Sequence, residues 1–405
     1  MSSGFSLRER AAMMAVRGAN WASRAAHRGA GTVAGGQIGL KIAPHLLASL
    51  AVGRTVVLVS GTNGKTTTTA LIAAGWGGDV ASNTTGANMP AGHVAALVRD
   101  RTGRVVLETD EAWLGDVMTA TQPKVVVLLN LSRDQLDRAN EVRRIAERWR
   151  AAIAALGSAT IVVANANDPL VVYAACDAPN VRWCDVPTPW RADAQSCPRC
   201  TLAIDYDVAG WRCACGFAKP TDLTTSLDGP LRVAGQTLEL ALGVPGVFNE
   251  ANAAMALSAL REVGSDLQDA LQRVNAVSTV AGRFSVRTWR GRRVRLLLAK
   301  NPAGFEALLW TLGPGDDDVW IAINAHLADG HDPSWLYDVA FETLRGRTVW
   351  CLGERRLDLA TRLAYADVSV KVVDDLEQLP VSEEPVTLFA NYTAFSEWLE
   401  RSTPC

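Results

Sequence analysis

At 405 residues the chain is longer than one average domain, so we expect two or three packed domains. Hydrophobic residues make up 48% of the sequence and charged residues 20%, which is ordinary globular composition. A formal net charge of -2 argues against a general nucleic-acid binder. No apolar run reaches membrane-spanning length and the N-terminus lacks a signal-peptide pattern, so the sequence predicts a cytoplasmic protein.

The first predicted element is a basic helix over residues 5–28. Leu7, Met14 and Trp21 recur in it every seven residues, and one carboxylate, Glu9, accompanies five arginines. Such a helix could rest on an anionic membrane surface. We favour instead a helix that docks on the protein and leaves its arginine face in solvent.

A Gly-rich loop over residues 29–39 and a short apolar helix over residues 42–50 are predicted next. A buried strand over residues 56–60 then leads into the sequence G-T-N-G-K-T-T and a helix over residues 66–76. In such a turn the loop amides and the helix N-terminus converge on an anion. An ordinary Gly-rich turn would explain the glycines but neither the lysine nor the threonines.

This turn is typical of a nucleotide-phosphate site, although its G-x-x-G-K-T spacing is shorter than the commonest phosphate-loop pattern. Lys65 would add a positive charge, and the Thr66 hydroxyl could face a magnesium ion, Mg2+. The candidate nucleotide-binding residues here are Gly61, Thr62, Asn63, Gly64, Lys65, Thr66 and Thr67.

A second buried strand begins at residue 104 and ends in three carboxylates, Glu108, Asp110 and Glu111. Ligands gather at the carboxyl ends of parallel strands, so Glu108 is placed to hold the magnesium ion opposite Thr66. As an isolated pattern, acidic residues at a strand end can also merely cap the next helix.

Further strands over residues 124–129 and 160–164 alternate with helices over residues 141–156 and 169–176. This alternation predicts a mostly parallel sheet with helices on both faces.

Four of the eight cysteines then lie close together, as Cys197-x-x-Cys200 and Cys213-x-Cys215. Two short cysteine pairs are the usual ligand arrangement of a closed structural site for a zinc ion (Zn2+). Disulfides are not expected, because the predicted compartment is reducing. The second pair is one residue shorter than the standard spacing. A metal-free loop is the alternative.

Phe248, Asn249 and Asn252 open a later helix. The two asparagines lie at i and i+3 and could read an adenine edge while Phe248 packs on its ring. Asn249 as a helix N-cap and Asn252 as a solvated residue explain the pattern equally well. Arg283 is a candidate clamp on a γ-phosphate.

From about residue 286 a second α/β domain follows, without a phosphate-binding turn of its own. Its predicted strands cover residues 294–298, 319–324, 348–352, 368–373 and 386–390. Its predicted helices cover residues 305–312, 335–344, 354–366 and 393–401. The expected divisions of the chain are residues 1–52, 53–285 with a ribbon at about 190–222, and 286–405.

Several of these motifs together resemble the Mur ligases, which activate a carboxylate as an acyl phosphate with ATP and then form an amide. They are G-T-N-G-K-T-T-T, Glu108, D-Q-L-D-R, N-A-N-D-P and G-V-F-N-E-A-N-A-A. The cysteine insertion and the sequences L-A-K-N-P-A-G and D-G-H-D-P-S-W are similar to the MurT group of synthetase subunits of lipid II isoglutaminyl synthase. The resemblance covers nearly the whole chain.

The resemblance implies an α/β protein: a central Mur-ligase-type P-loop ATPase domain with a four-cysteine zinc-ribbon insertion, then a C-terminal Rossmann-like α/β domain. It implies ATP, Mg2+ and Zn2+ as cofactors, and a GatD-like glutaminase partner that supplies ammonia. The implied reaction amidates the α-carboxylate of D-glutamate in the lipid II stem peptide, at the inner membrane face, giving D-isoglutamine.

The same resemblance implies catalytic roles for Lys65 and Glu108, and makes Asp332 the third member of the partner's glutaminase triad. On its own, Asp332 before a proline is an ordinary helix N-cap. Two positions depart from the amino-acid-adding relatives: Gln135 replaces a metal-binding histidine, and Phe248 stands where histidine or tyrosine is expected.

Two rival functions make different predictions. A conventional Mur-type or folylpolyglutamate-type amino-acid ligase predicts a histidine near Gln135 and no cysteine insertion, and the sequence has neither feature. A zinc-ribbon nucleic-acid ATPase predicts basic and aromatic residues around the cysteines, where Asp205 and Asp207 occur instead.

Overall fold

A computed structural model describes residues 4–25, 32–83, 87–133, 142–280, 283–313 and 318–404. The chain forms two compact units. Unit 1 comprises Met1–Leu131, Val142–Leu242 and Asn249–Val277, and unit 2 comprises Ser132–Glu141, Gly243–Phe248 and Ser278–Cys405.

The described part of unit 1 is built on a nine-stranded sheet. Its strands are β1 Thr55–Ser60, β2 Ala81–Ser82, β3 Arg104–Glu108, β4 Val125–Leu128, β5 Ile161–Asn165, β6 Val181–Asp185, β9 Leu223–Ser226, β10 Leu231–Val233 and β11 Gln236–Leu238; β7 Ile204–Asp207 and β8 Gly210–Cys213 form a separate antiparallel hairpin. The order is β11-β10-β9-β6-β5-β4-β1-β3-β2, parallel from β2 to β9. The expected mostly parallel sheet is confirmed.

Helices cover both faces of this sheet. They are α1 Leu7–Ala25, α2 Thr32–Ile42, α3 Leu46–Ala51, α4 Lys65–Trp76, α5 Pro90–Arg99, α6 Leu114–Thr121, α7 Val142–Ala154, α8 Pro169–Ala175, α9 Val247–Glu262 and α10 Leu267–Asn275. One apolar core joins the sheet to α1, α3 and α5 to α8, and a second joins it to α4, α9 and α10. Burial from both sides explains why central strands such as β1 and β4 are unbroken runs of apolar residues.

The prediction of a loop over residues 29–39 is wrong for its described part, because α2 begins at Thr32. Its glycines are sites of close contact between helices. A β-carbon on Gly36 would lie 1.7 Å from the Ala91 carbonyl oxygen of α5, and one on Gly39 would lie 2.6 Å from the Val16 side chain of α1. The glycine-rich composition suggested a loop, whereas the packing of α2 against its neighbours requires these residues to be small.

Helix α1 docks on unit 1, as expected, through Ala12, Met13 and Val16. The residues that recur every seven positions, Leu7, Met14 and Trp21, are instead exposed.

Unit 2 contains a seven-stranded sheet in its described part, with the order β16-β15-β14-β17-β13-β12-β18. Its strands are β12 Phe284–Trp289, β13 Arg292–Leu298, β14 Asp318–Ala322, β15 Thr348–Leu352, β16 Ser369–Val372, β17 Val386–Ala390 and β18 Thr403–Pro404, and its helices are α11 Pro302–Leu309, α12 Arg356–Tyr365 and α13 Tyr392–Arg401. The five predicted strands are present and mutually parallel, and β12 and β18 add an antiparallel edge.

The helix predicted over residues 335–344 is replaced by two short 3-10 turns, Pro333–Asp338 and Phe341–Leu344. Trp335, Leu336, Phe341 and Leu344 are all buried. On one continuous α-helix these positions would point in opposite directions, so the break between the turns lets both pairs face the core. No described helix of the chain has the length and apolar character needed to cross a membrane.

Candidate functional site

The turn between β1 and α4 has two positions that require glycine. Gly61 and Gly64 have φ angles of 147° and 85°. A β-carbon on Gly61 would lie 2.9 Å from Leu129 Cβ, and one on Gly64 would lie 2.4 Å from the amide oxygen of Asn252. Both glycines therefore allow the loop to pass close to neighbouring segments, and α4 begins immediately after it at Lys65.

Lys65 is buried and its ammonium group is held at the loop. Its Nζ donates to the carbonyl oxygens of Gly61 at 2.5 Å and Thr62 at 3.2 Å. It also forms an ion pair with Glu111 Oε2 at 3.1 Å. Glu111 is one of the three carboxylates at the end of the second predicted strand, and nothing in the local sequence connects it to Lys65.

Thr66 and Glu108, the predicted magnesium ligands, are adjacent: Thr66 Oγ1 donates to Glu108 Oε2 at 2.9 Å. Asn83 fixes the Glu108 backbone, accepting its N–H at 2.9 Å and donating to its carbonyl oxygen at 2.8 Å. His93 Nε2 lies 2.8 Å from the same carbonyl oxygen, and burial lowers the pKa of His93 to about 4. A hydroxyl and a carboxylate oxygen are hard donors of the kind Mg2+ prefers, so this pair fits that ion.

Asn130, which follows β4, braces the loop from the other side. Its side-chain oxygen accepts the N–H of Asn63 at 2.9 Å, and its amide nitrogen donates to the carbonyl oxygen of Asn63 at 3.0 Å. The Asn130 backbone oxygen also accepts the N–H of Thr62 at 2.9 Å. A polar residue directly after a buried strand was the available sequence sign, but its partner lies 67 residues away.

Asn249 and Asn252 are buried in the first turns of α9, which begins at Val247. Asn249 is therefore inside the helix rather than at its N-cap, and Asn252 is packed against the loop at Gly64. Phe248 and Arg283 belong to unit 2, so their predicted contacts with adenine and the γ-phosphate stay predictions. Gln135, where the usual metal-binding histidine is missing, lies outside the described residues.

The four clustered cysteines converge, with all four sulfur atoms within 4.8 Å of one another. Cys197 Sγ lies 3.7 Å from Cys215 Sγ, and Cys200 Sγ lies 3.4 Å from Cys213 Sγ. Zn–S bonds of about 2.3 Å place tetrahedral sulfurs about 3.8 Å apart, so the cluster has the size of a four-thiolate metal site. The shorter C-x-C pair thus still reaches the cluster.

Backbone N–H groups support the thiolate form of one of these cysteines. The N–H of Phe217 lowers the pKa of the Cys215 thiol to about 7. Gly216, with φ of 85°, turns the chain directly after it. Burial raises the pKa of the Cys197 thiol in the same cluster, so Cys215 supplies more readily the thiolate that a metal binds.

Asp332 is exposed in unit 2, at the start of the 3-10 turn Pro333–Asp338. Its Oδ1 accepts the N–H of Ser334 at 2.8 Å, and this hydrogen bond lowers the pKa of the Asp332 carboxyl. The cap is therefore present, and the ionised carboxylate is accessible from solvent.

The sequence matches the Mur ligase middle domain over residues 59–185 and the MurT ligase C-terminal domain over residues 298–395. It is 28% identical, over 98% of each chain, to the lipid II isoglutaminyl synthase (glutamine-hydrolyzing) subunit MurT of Staphylococcus aureus (strain COL). It is also 28% identical, over 92% of each chain, to the corresponding MurT subunit of Streptococcus pneumoniae.

Solved structures share the fold at lower identity. A pseudomurein peptide ligase type C from Methanothermus fervidus matches 86% of this chain and 78% of its own, with a TM-score of 0.66 and 19% identity. A bifunctional folylpolyglutamate synthase/dihydrofolate synthase from Yersinia pestis matches 89% of this chain and 91% of its own, with a TM-score of 0.57 and 18% identity. The chain therefore contains a region similar to the Mur ligase middle domain and a region similar to the MurT ligase C-terminal domain, and over nearly its whole length it is similar to curated MurT subunits.

Proposed function

We propose that this chain is the synthetase subunit of a lipid II isoglutaminyl synthase. It converts the α-carboxylate of D-glutamate in the lipid II stem peptide to the amide of D-isoglutamine, using ATP and ammonia. The observation that carries the proposal is the combination of the Lys65, Thr66 and Glu108 site with a C-terminal domain of the MurT type. Relatives named as MurT subunits cover the same length of chain.

The reaction has two steps. The substrate carboxylate attacks the γ-phosphorus of ATP, giving an acyl phosphate and ADP. Ammonia then attacks the acyl carbon and inorganic phosphate leaves, while the ammonia nitrogen loses its extra proton to solvent or a base. Catalysis in such phosphoryl transfers is mainly positioning and charge neutralisation.

Lys65 supplies the fixed positive charge, and the N-terminus of α4 would bind the phosphates, because the N–H groups of Thr62 and Asn63 already donate to Asn130. An arriving phosphate would compete with Glu111 for the Lys65 ammonium group, so the ion pair is the contact that nucleotide binding must replace. Thr66 and Glu108 would hold Mg2+, which supplies charge neutralisation at the phosphate oxygens when bound.

The cysteine cluster serves the fold rather than the chemistry in this proposal. Four thiolates close the site completely, which is typical of structural zinc, and the cluster anchors the β7–β8 hairpin. Zinc would therefore stabilise this insertion.

A glutaminase subunit is the proposed source of ammonia, since the relatives are named as subunits of glutamine-hydrolysing enzymes. Asp332 would complete that partner's triad, because its carboxylate can orient an imidazole supplied by the partner. The substrate is lipid-linked, so the complex would work on the cytoplasmic side of the membrane.

The test is an amidation assay with purified complex, lipid II, ATP and either glutamine or ammonium, read by mass spectrometry of the stem peptide. We expect ATP-dependent replacement of one carboxyl oxygen by nitrogen. Lys65→Ala should lower the rate by roughly a hundredfold or more with either nitrogen source. Addition of an amino acid instead of ammonia would contradict the proposal.

A further inference from the structure

Helix α1 presents a stripe of large apolar side chains to solvent. Leu7, Met14 and Trp21 are 84%, 65% and 69% exposed. Residues seven apart lie on nearly the same side of an α-helix, and the exposed Ala11 and Gly18 lie between them. The stripe from Leu7 to Trp21 therefore runs for about 21 Å along one face, at about 1.5 Å per residue.

The orientation of this stripe is fixed by the opposite face of the helix. Ala12, Met13 and Val16 are buried in the core of unit 1. A β-carbon on Gly35 of α2 would lie 2.1 Å from the Asn20 side chain, so the two helices are in close contact. Within the described chain the stripe therefore packs against no core residue. A rotation of α1 that buried the stripe would expose Ala12, Met13 and Val16.

The charges beside the stripe are positive. Arg10 and Arg17, also seven residues apart, are exposed along one edge. The single carboxylate of the helix, Glu9, accepts hydrogen bonds from Ser6 and from the Ser49 hydroxyl of α3, and so is directed along the protein. No described carboxylate forms an ion pair with either arginine.

Helix α2 also carries exposed apolar and basic residues, although they do not form a single line along it. Val33 and Ile38 are exposed apolar residues, and Lys41 is exposed in the last turn. Apolar side chains that include tryptophan, bordered by arginine and lysine, are typical of helices that lie in the interface of an anionic bilayer. An acidic protein partner with an apolar groove would also fit this surface. We favour the bilayer because the substrate in the proposed function is lipid-linked, and the experiment below separates the two occupants.

We propose that α1, supported by α2, is a membrane-docking surface that lies among the headgroups of an anionic phospholipid bilayer. The apolar stripe enters the acyl boundary, and Arg10 and Arg17 contact lipid phosphates. This surface operates independently of the ligase chemistry, so vesicle binding can be measured without any amidation.

The experiment is co-flotation of the full-length chain with phosphatidylcholine vesicles, with or without phosphatidylglycerol. We expect binding to the anionic vesicles only. Replacing Leu7, Met14 and Trp21 together by serine should weaken that binding by roughly tenfold or more. Arg10→Gln with Arg17→Gln should weaken it by roughly thirtyfold at low salt, and by much less at high salt.

The matched control is Leu202→Ser with Val208→Ser, which removes two exposed apolar side chains near the cysteine cluster and should leave binding unchanged. All replaced side chains are exposed, so circular dichroism and thermal melts should match those of the wild-type chain. Absence of binding, equal binding to neutral vesicles, or unchanged binding by the serine variant would each overturn the proposal. Loss of glutaminase assembly in that variant, without vesicle binding by the wild type, would assign the stripe to a protein partner instead.

Discussion

The Asp332 carboxylate has two explanations that the structure allows together. It caps the turn at Pro333 through the N–H of Ser334, and it is exposed where a second protein could reach it. Asparagine keeps an oxygen for the cap and removes only the charge, so Asp332→Asn separates the two roles.

We expect Asp332→Asn to lower glutamine-dependent amidation by roughly a thousandfold or more, because an uncharged side chain no longer orients and stabilises the partner's imidazole. Amidation from high ammonium and assembly with the glutaminase should be preserved. Parallel assays with the two nitrogen sources measure this. Full glutamine-dependent activity would leave Asp332 as a cap alone.

At the residue scale, the sequence indicated a site where its residues are contiguous, and it did not indicate contacts between residues far apart in the chain. Gly61 to Thr67 are contiguous, so the sequence alone indicated a phosphate site there. The contacts of Glu111 with Lys65 and of Asn130 with Asn63 depend on β3 and β4 lying on either side of β1. Nothing in the local sequence specifies that strand order, so these two contacts could be identified only from the structure.

At the scale of elements, the cysteine cluster joins two turns of chain in an insertion that also packs on the core of unit 1 through Ile204, Trp211 and Phe217. The hairpin β7–β8 has two strands, too few for independent stability in water, and the cluster lies at its base. We infer that metal binding and folding of this insertion are coupled.

Cys200→Ser should therefore remove the proposed zinc and unfold the insertion locally while ATP binding persists, because the phosphate site is built from other segments. Metal analysis of protein purified without chelator should give close to one zinc per wild-type chain. Hydrogen exchange should show faster exchange confined to the hairpin in the variant. A wild-type chain free of zinc would contradict the assignment.

Helix α2 gives a second prediction at this scale. A methyl group at Gly36 would collide with the Ala91 carbonyl oxygen, so Gly36→Ala should lower the free energy of unfolding by about 1–3 kcal/mol, despite the better helix propensity of alanine.

The matched control is Gly18→Ala in α1, where nothing lies within 4 Å of the added carbon. That change should raise the free energy of unfolding by up to about 1 kcal/mol. Urea denaturation of both variants checks the pair, and equal effects of the two substitutions would show that close packing is not what α2 requires.

These elements also show where sequence reasoning failed. Glycines of α2 look the same in a loop and in a close helix contact, since composition does not reveal what lies opposite. Residues 335–344 contain enough apolar residues for a buried helix, but on one continuous helix those side chains would not face the same side. Long buried strands such as β1 and β17 were predicted well because burial on both faces leaves a continuous apolar run.

At the scale of the whole molecule, the alternation of apolar strand runs with helical stretches was enough to indicate both α/β sheets. The antiparallel edges were missed, because β10, β11, β12 and β18 are short or only partly buried and carry no strong pattern. The MurT C-terminal domain match bears on function more than the fold does, since ligases named for other reactions share the fold.

The central claim is that the chain activates a carboxylate as an acyl phosphate and lets ammonia displace phosphate. The most direct measurement uses lipid II whose D-glutamate α-carboxylate carries heavy oxygen, incubated with the complex, ATP and ammonium. An acyl phosphate predicts that one heavy oxygen moves from the carboxylate to each inorganic phosphate as the amide forms. Lys65→Ala should slow the formation of both products by roughly a hundredfold or more. Amide formation with no heavy oxygen in the phosphate would contradict the account.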